Sequence, residues 1–118
     1  MQAEVFADFL EMAEHLLTEG YKDAAAVLLG AVLEDSLRKV AVRHGVTIVG
    51  ANEKPLTIDP LNVAVCKSGA YGPLVQKQVT TWAHLRNDAA HGNFAKYDAD
   101  YVRQMLLFVQ KFCGDHLP

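Results

Sequence analysis

Cysteine and proline are scarce in this chain: its 118 residues hold two of the first and four of the second. Cys66 and Cys113 stand far apart and match no short metal-binding spacing, so two reduced thiols, buried or nearly so, are expected in place of a disulfide framework. Glycine, at eight residues, is not enriched, which excludes a linker-like or collagen-like chain. No window approaches about 18 consecutive apolar residues, so no membrane-spanning helix is expected. The opening stretch MQAEVFADFLEMAEHLL carries acids where a leader would be basic, and its apolar residues are interrupted, so a signal peptide is not expected either. The expectation is a cytoplasmic protein without membrane contact. A surplus of positive charge is also missing. The formal net charge of -3 means that the chain as a whole does not attract polyanions, which argues against general nucleic-acid packaging. Nucleic-acid contact must then come from a local site or from a groove between symmetric subunits. There is no phosphate-cradling glycine-rich loop, no Ser/His/Asp signature, no internal repeat and no low-complexity segment.

What the chain does have is 51% hydrophobic and 21% charged residues, the balance of a folded globular protein. Its length allows one domain with its own core, over 1–118, and not two. The hydrophobic period is helical almost throughout. Val5, Phe6, Phe9, Met12, Ala13 and Leu16 share one stripe of a first helix over 2–18, with Gly20 as its C-terminal cap. A second helix is predicted over 21–44. Its first half, AAAVLLGAVL, is apolar on nearly every side, which suits a helix at the centre of a bundle, and Gly45 stops it. An irregular connection occupies 45–72: a short β-type run, then a short helix with Asp59 as N-cap and Pro60 at the first helical position. Such a connection is either a cover over a site or a surface excursion. A third long helix over 73–91 carries Val75, Val79, Trp82, Leu85 and Ala89 and stops at Gly92. The fourth starts at Asp98, a good N-cap, and runs to about Cys113. The fold class expected is all-α, an antiparallel bundle of four main helices plus a short extra one.

Chemistry concentrates at the end of the third long helix, in LRNDAAHGN. Taking Trp82 as the middle of the apolar face, Arg86 falls about 40 degrees from it, on the core-facing flank. An unpaired guanidinium there is costly to desolvate, so it needs a carboxylate, a helix C-terminus or a ligand phosphate. Glu34, at the edge of the apolar face of the second helix, is the nearest candidate by pattern. His84, Asn87, Asp88 and His91 occupy the opposite side, and Asn87 and His91, one turn apart, are able to point together. Arg86 and His91 lie about 140 degrees apart around a straight helix. They converge if the last turn unwinds at Gly92, if the long arginine reaches around, or if a second copy completes the site across a two-fold axis.

The segment LRNDAAHG resembles the signature of the HEPN superfamily (higher eukaryotes and prokaryotes nucleotide-binding domain): an arginine, four to six residues, then a histidine, often with a polar residue straight after the arginine. Here the motif reads Arg86, Asn87, Asp88, Ala89, Ala90, His91. YKDAAAVLLGAVLEDSLRKV is similar to the family's long second helix, and YDADYVRQMLLFVQKF to the helix after the motif. The resemblance implies a HEPN-like helical bundle, commonly a homodimer, whose two motifs meet in a cleft. It further implies a metal-independent endoribonuclease of toxin-antitoxin or defence type, needing no cofactor, with RNA or a nucleotide as ligand and an antitoxin or nucleotidyltransferase as partner. In such a site the RNA's own 2′-hydroxyl attacks the adjacent phosphate. Histidine titrates near neutrality and suits proton transfer without a metal, which is the role implied for His91. Arg86 would clamp the phosphoryl oxygens and stabilise the phosphorane. Asn87 would orient His91 or bind phosphate or ribose, with Asp88 or Glu34 holding Arg86 or a histidine tautomer. One histidine does not supply acid and base at once, which again favours two motifs face to face.

Two other readings stay open. In one, a catalytically inactive HEPN-like module binds a nucleotide or a partner protein. In the other, His84, Asp88 and His91, spaced along one helical face, hold a transition metal.

Overall fold

The structure, a computed structural model, describes residues 2–118, with side chains from Glu4 onward. It is all-helical. Among the described residues five α-helices follow one another as α1 (Gln2–Thr18), α2 (Lys22–Arg43), α3 (Ile58–Lys67), α4 (Pro73–Ala90) and α5 (Ala99–His116), with a 3-10 turn at Phe94–Lys96. The β-type run in the connection comes to no more than one isolated antiparallel bridge between Val49 and Pro55. Among the described residues no helix is long and apolar enough to cross a membrane.

The core gathers on α2, which packs against α1, α3, α4 and α5. Leu29, Leu33, Leu37 and Val40 of α2 are completely buried and meet Val79 of α4 and Val102, Met105 and Val109 of α5 in one cluster. This is the central placement expected from its apolar first half. Trp82 joins the core as expected, and so does Phe112 of α5, whereas Phe108 is half-buried. Cys66 and Cys113 are both free thiols. Asp98 caps α5 through its carboxylate, which accepts from the Tyr101 N–H at 2.8 Å.

Two expectations are corrected here. The N-cap of α3 is Thr57, not Asp59, which falls inside the first turn. More consequentially, α1 buries a different stripe from the one read in its sequence. Phe6, Leu10, Ala13 and Leu17 face the core, while Val5, Phe9 and Met12 are 57%, 42% and 53% exposed. The helix carries apolar residues on two adjoining flanks, and only one of them can turn inward. His116 is half-buried and sits 4.8 Å from the Phe112 ring and 5.8 Å from that of Tyr71, and its backbone carbonyl accepts from Arg43. Burial, outweighing the nearby Asp115 charge, pushes its imidazole below the usual histidine range.

One buried polar residue fixes α3 in place. Asn62 is almost fully enclosed, and its amide nitrogen donates to the Gln76 carbonyl at 2.9 Å and to Thr80 Oγ1 at 3.2 Å on α4. Its amide oxygen accepts from the buried Tyr71 hydroxyl at 2.5 Å. Asn62→Ala takes the 2.5 Å acceptor from the buried Tyr71 hydroxyl, and an unsatisfied group in the interior costs about 1–3 kcal/mol, while the Gln76 carbonyl keeps the Thr80 hydroxyl at 3.0 Å. Urea unfolding of the variant should show a loss of about 1–3 kcal/mol. The bond matters beyond stability, because α3 carries one wall of the pocket described next.

Candidate functional site

Arg86 reaches its position because α2 has no side chain in the way. Gly30 lies inside α2, and a Cβ added there would stand 2.5 Å from Arg86 Cγ and 3.0 Å from Arg86 Cβ. The stem of Arg86 crosses α2 where only a hydrogen can be. Its guanidinium then meets Glu34 on the same helix, with Nη2 to Oε2 at 3.2 Å, and donates through Nη1 to the Asn87 Oδ1 at 3.2 Å. Glu34, the partner expected from the sequence, is shared. Its other oxygen accepts from Arg38 Nη2 at 2.7 Å, and the same nitrogen donates to the Leu56 carbonyl at 3.1 Å. One carboxylate thus joins two arginines and ties them to the connection before α3.

That connection borders the site. Thr57, Ile58 and Asp59 line a pocket of about 200 Å³ together with Glu34, Ala83, Arg86 and Asn87. The Arg86 side chain is 37% exposed at this pocket. A guanidinium has five N–H donors, and two are engaged among the described residues, which leaves three for a ligand.

His91 lies elsewhere. The helix stays regular through the motif: the His91 N–H bonds the Asn87 carbonyl at 3.0 Å. Gly92 then turns to a φ of 74 degrees, while the Asn93 N–H reaches back to the Asp88 carbonyl at 2.8 Å and the Gly92 N–H to Ala89 at 3.2 Å. This pair of bonds closes the helix end, and the left-handed backbone at its centre favours glycine. The last turn therefore does not unwind, and Arg86 and His91 keep their separation of about 140 degrees. Nor do Asn87 and His91 point together as the spacing allowed, since the Asn87 oxygen turns to Arg86. Among the described residues the exposed His91 side chain makes no hydrogen bond or ion pair.

Asp88 does not hold Arg86. It borders a separate groove with His84, Lys96, Tyr97 and Tyr101. Nor, among the described residues, do three or more His, Cys, Asp or Glu side chains gather as a metal-holding group, so His84, Asp88 and His91 do not form the ligand set read from their spacing.

A latch fixes the segment after His91. Lys22 Nζ donates to the Phe94 carbonyl at 2.6 Å and to Asp23 Oδ1 at 2.8 Å, and stands 4.2 Å over the Tyr97 ring. The buried Tyr97 hydroxyl donates to the same Asp23 oxygen at 2.8 Å. Burial, then the Asp23 hydrogen bond and charge, push the Tyr97 phenol well up, so it remains a donor. Burial works against the Asp23 carboxylate, yet the bonds from Lys22 and Tyr97 hold it below the usual range. The start of α2 thereby pins the chain just beyond the end of α4.

Comparison with protein-family models, curated proteins and solved structures finds no match to this chain.

The structure brings Arg86, Asn87 and Glu34 together and leaves His91 and Asp88 apart from them. Gly30, Arg38, the 57–59 wall and the latch were not singled out by sequence reasoning. Gly30 had a signal: a glycine inside a long helix costs about 1 kcal/mol relative to alanine and points to a close backbone approach.

Proposed function

We propose that this protein is a metal-independent endoribonuclease of HEPN type, acting through a site shared by two copies of the chain. The observation that carries this reading is the Arg86 guanidinium, its stem against Gly30 and its head on Glu34, lining a pocket with only two of its five N–H donors engaged among the described residues. A fixed guanidinium of this kind suits bidentate contact with phosphoryl oxygens. His91, exposed and without a side-chain partner among the described residues, is free to serve a neighbour's site.

In the cleft between two copies, one His91 takes the proton from the ribose 2′-hydroxyl as its oxygen attacks the adjacent phosphorus. The other gives a proton to the departing 5′-oxygen. The products are a 2′,3′-cyclic phosphate and a 5′-hydroxyl end. Arg86 bears the charge that builds on the phosphorane, and Asn87 steadies Arg86 while its amide nitrogen contacts ribose or phosphate. The toxin or defence role, with an antitoxin or nucleotidyltransferase as keeper of the activity, belongs to the same proposal.

A second reading rests on a specific feature. Glu34 and Asp59 both border the Arg86 pocket, so negative charge stands beside the arginine in a single chain. This favours a HEPN-like module that binds a nucleotide or a partner protein and does no chemistry. Labelled single-stranded RNA incubated with the protein in EDTA separates the two. Cleavage leaving cyclic phosphate ends supports the ribonuclease; intact RNA beside retained nucleotide or RNA binding supports the module.

A further inference from the structure

The pocket lined by Arg86 holds two carboxylates, and their surroundings differ. Both Glu34 oxygens are engaged, one by Arg38 at 2.7 Å and the other by Arg86 at 3.2 Å, so its charge is answered twice. Asp59, on the α3 wall, is exposed and has no side-chain partner among the described residues. The Thr57 hydroxyl beside it is uncommitted as well, since this N-cap residue makes no side-chain cap bond.

An occupant of this pocket meets two opposite demands. Arg86 calls for negatively charged oxygen, whereas Asp59 calls for N–H donors. A bare phosphate is repelled by Asp59, and a simple cation is repelled by Arg86. A nucleotide answers both, with its phosphate and with the edge of its base. Nucleotide binding is common to both readings given above, and the inference rests on it.

The unpaired carboxylate also discriminates among bases. Guanine alone of the four RNA bases sets two N–H donors side by side on its Watson–Crick edge, at N1 and N2. In adenine, cytosine and uracil every donor on that edge adjoins an acceptor, which a carboxylate repels. Guanine O6 lies next to N1 and accepts from a hydroxyl. The pocket volume of about 200 Å³ is below the range of about 300–1,000 Å³ for drug-sized ligands, which suits one base. Ile58 and Ala83, both buried, give that base apolar lining.

We infer that this pocket is a guanine subsite. The Asp59 carboxylate accepts from N1–H and N2–H of one base, the Thr57 hydroxyl donates to O6, and Arg86 holds the adjoining phosphate. The wall is fixed in advance of the ligand: Arg38 donates to the Leu56 carbonyl just before it, and Asn62 ties α3 to α4. Asp59 sets which base is taken and takes no part in the chemistry. It also stands in the first turn of α3, where negative charge favours the helix, but that effect is blind to the base.

Calorimetric titration of the whole chain in EDTA with guanosine, adenosine, cytidine and uridine 3′-monophosphates tests the inference without any cleavage. The guanosine nucleotide is expected to bind about tenfold or more tightly than the others. Inosine 3′-monophosphate, which lacks the 2-amino group, should lose about tenfold against guanosine. In Asp59→Asn both differences should vanish, with circular dichroism checking that the helices are intact. Equal binding of the four nucleotides, no binding of any, or a guanosine preference that survives Asp59→Asn overturns the inference. Guanosine binding that depends on Asp59, beside intact RNA in the cleavage assay, supports the subsite and removes the ribonuclease reading alone. RNA cleavage with no base preference in the titration removes the subsite and leaves the ribonuclease.

Discussion

Replacing His91 with alanine is expected to lower RNA cleavage by about 10²–10⁴-fold, the range for loss of a general acid or base, without moving the thermal midpoint. The two halves of this result have separate causes. The imidazole is exposed at the end of α4 and bonds nothing in its own chain among the described residues, so its removal opens no cavity and strands no partner. The helix end depends on Gly92 and the backbone bonds around it, and these survive the change. Initial cleavage rates and a thermal melt of the same preparation check both halves. A parallel loss of rate and stability would mean that His91 is structural.

Arg86→Ala should lower cleavage by about 10²–10³-fold, as removal of one charge-stabilising donor does. Gly30→Ala should approach that loss without touching the arginine. The new methyl would lie 2.5 Å from Arg86 Cγ, so the arginine stem or α4 itself must shift, and displacements of about 1 Å near a reacting group cost about 10²-fold. Stability should respond far less. Overpacking costs about 1–3 kcal/mol, while replacing a helical glycine with alanine returns about 1 kcal/mol. A large fall in rate with a small shift in the urea midpoint is therefore the expected signature. The double variant Gly30→Ala/Arg86→Ala should be no slower than Arg86→Ala alone, because both changes act through one side chain. Additive losses would show that Gly30 serves something other than Arg86.

The helix order was legible in the sequence because hydrophobic period and punctuation agree in α2, α4 and α5: Gly45, Gly92 and Asp98 stand where the structure turns. The Arg86–Glu34 pair was legible for a similar reason. An arginine on a core-facing flank needs a carboxylate, and α2 offered one at the edge of its own apolar face. In α1 the period itself was ambiguous. Phe6, Leu10, Ala13 and Leu17 repeat every three to four residues, and so do Val5, Phe9, Met12 and Leu16, so only the packing of α2 and α5 decides which set is buried. Some contacts lay beyond local pattern altogether. The 57–59 wall of the pocket depends on where Asn62 anchors α3, and the Lys22 contact with Phe94 joins residues 72 apart in sequence.

The sharing of one site by two chains is tested most directly by subunit exchange in the EDTA cleavage assay. Wild type at fixed concentration is equilibrated with a ninefold excess of His91→Ala, so that about nine-tenths of the wild-type chains sit in mixed dimers with a single histidine. If both histidines act in one cleft, cleavage falls to about a tenth of that given by the same wild type alone. Cleavage that stays undiminished contradicts the shared site, because each chain would then carry its own complete set of groups.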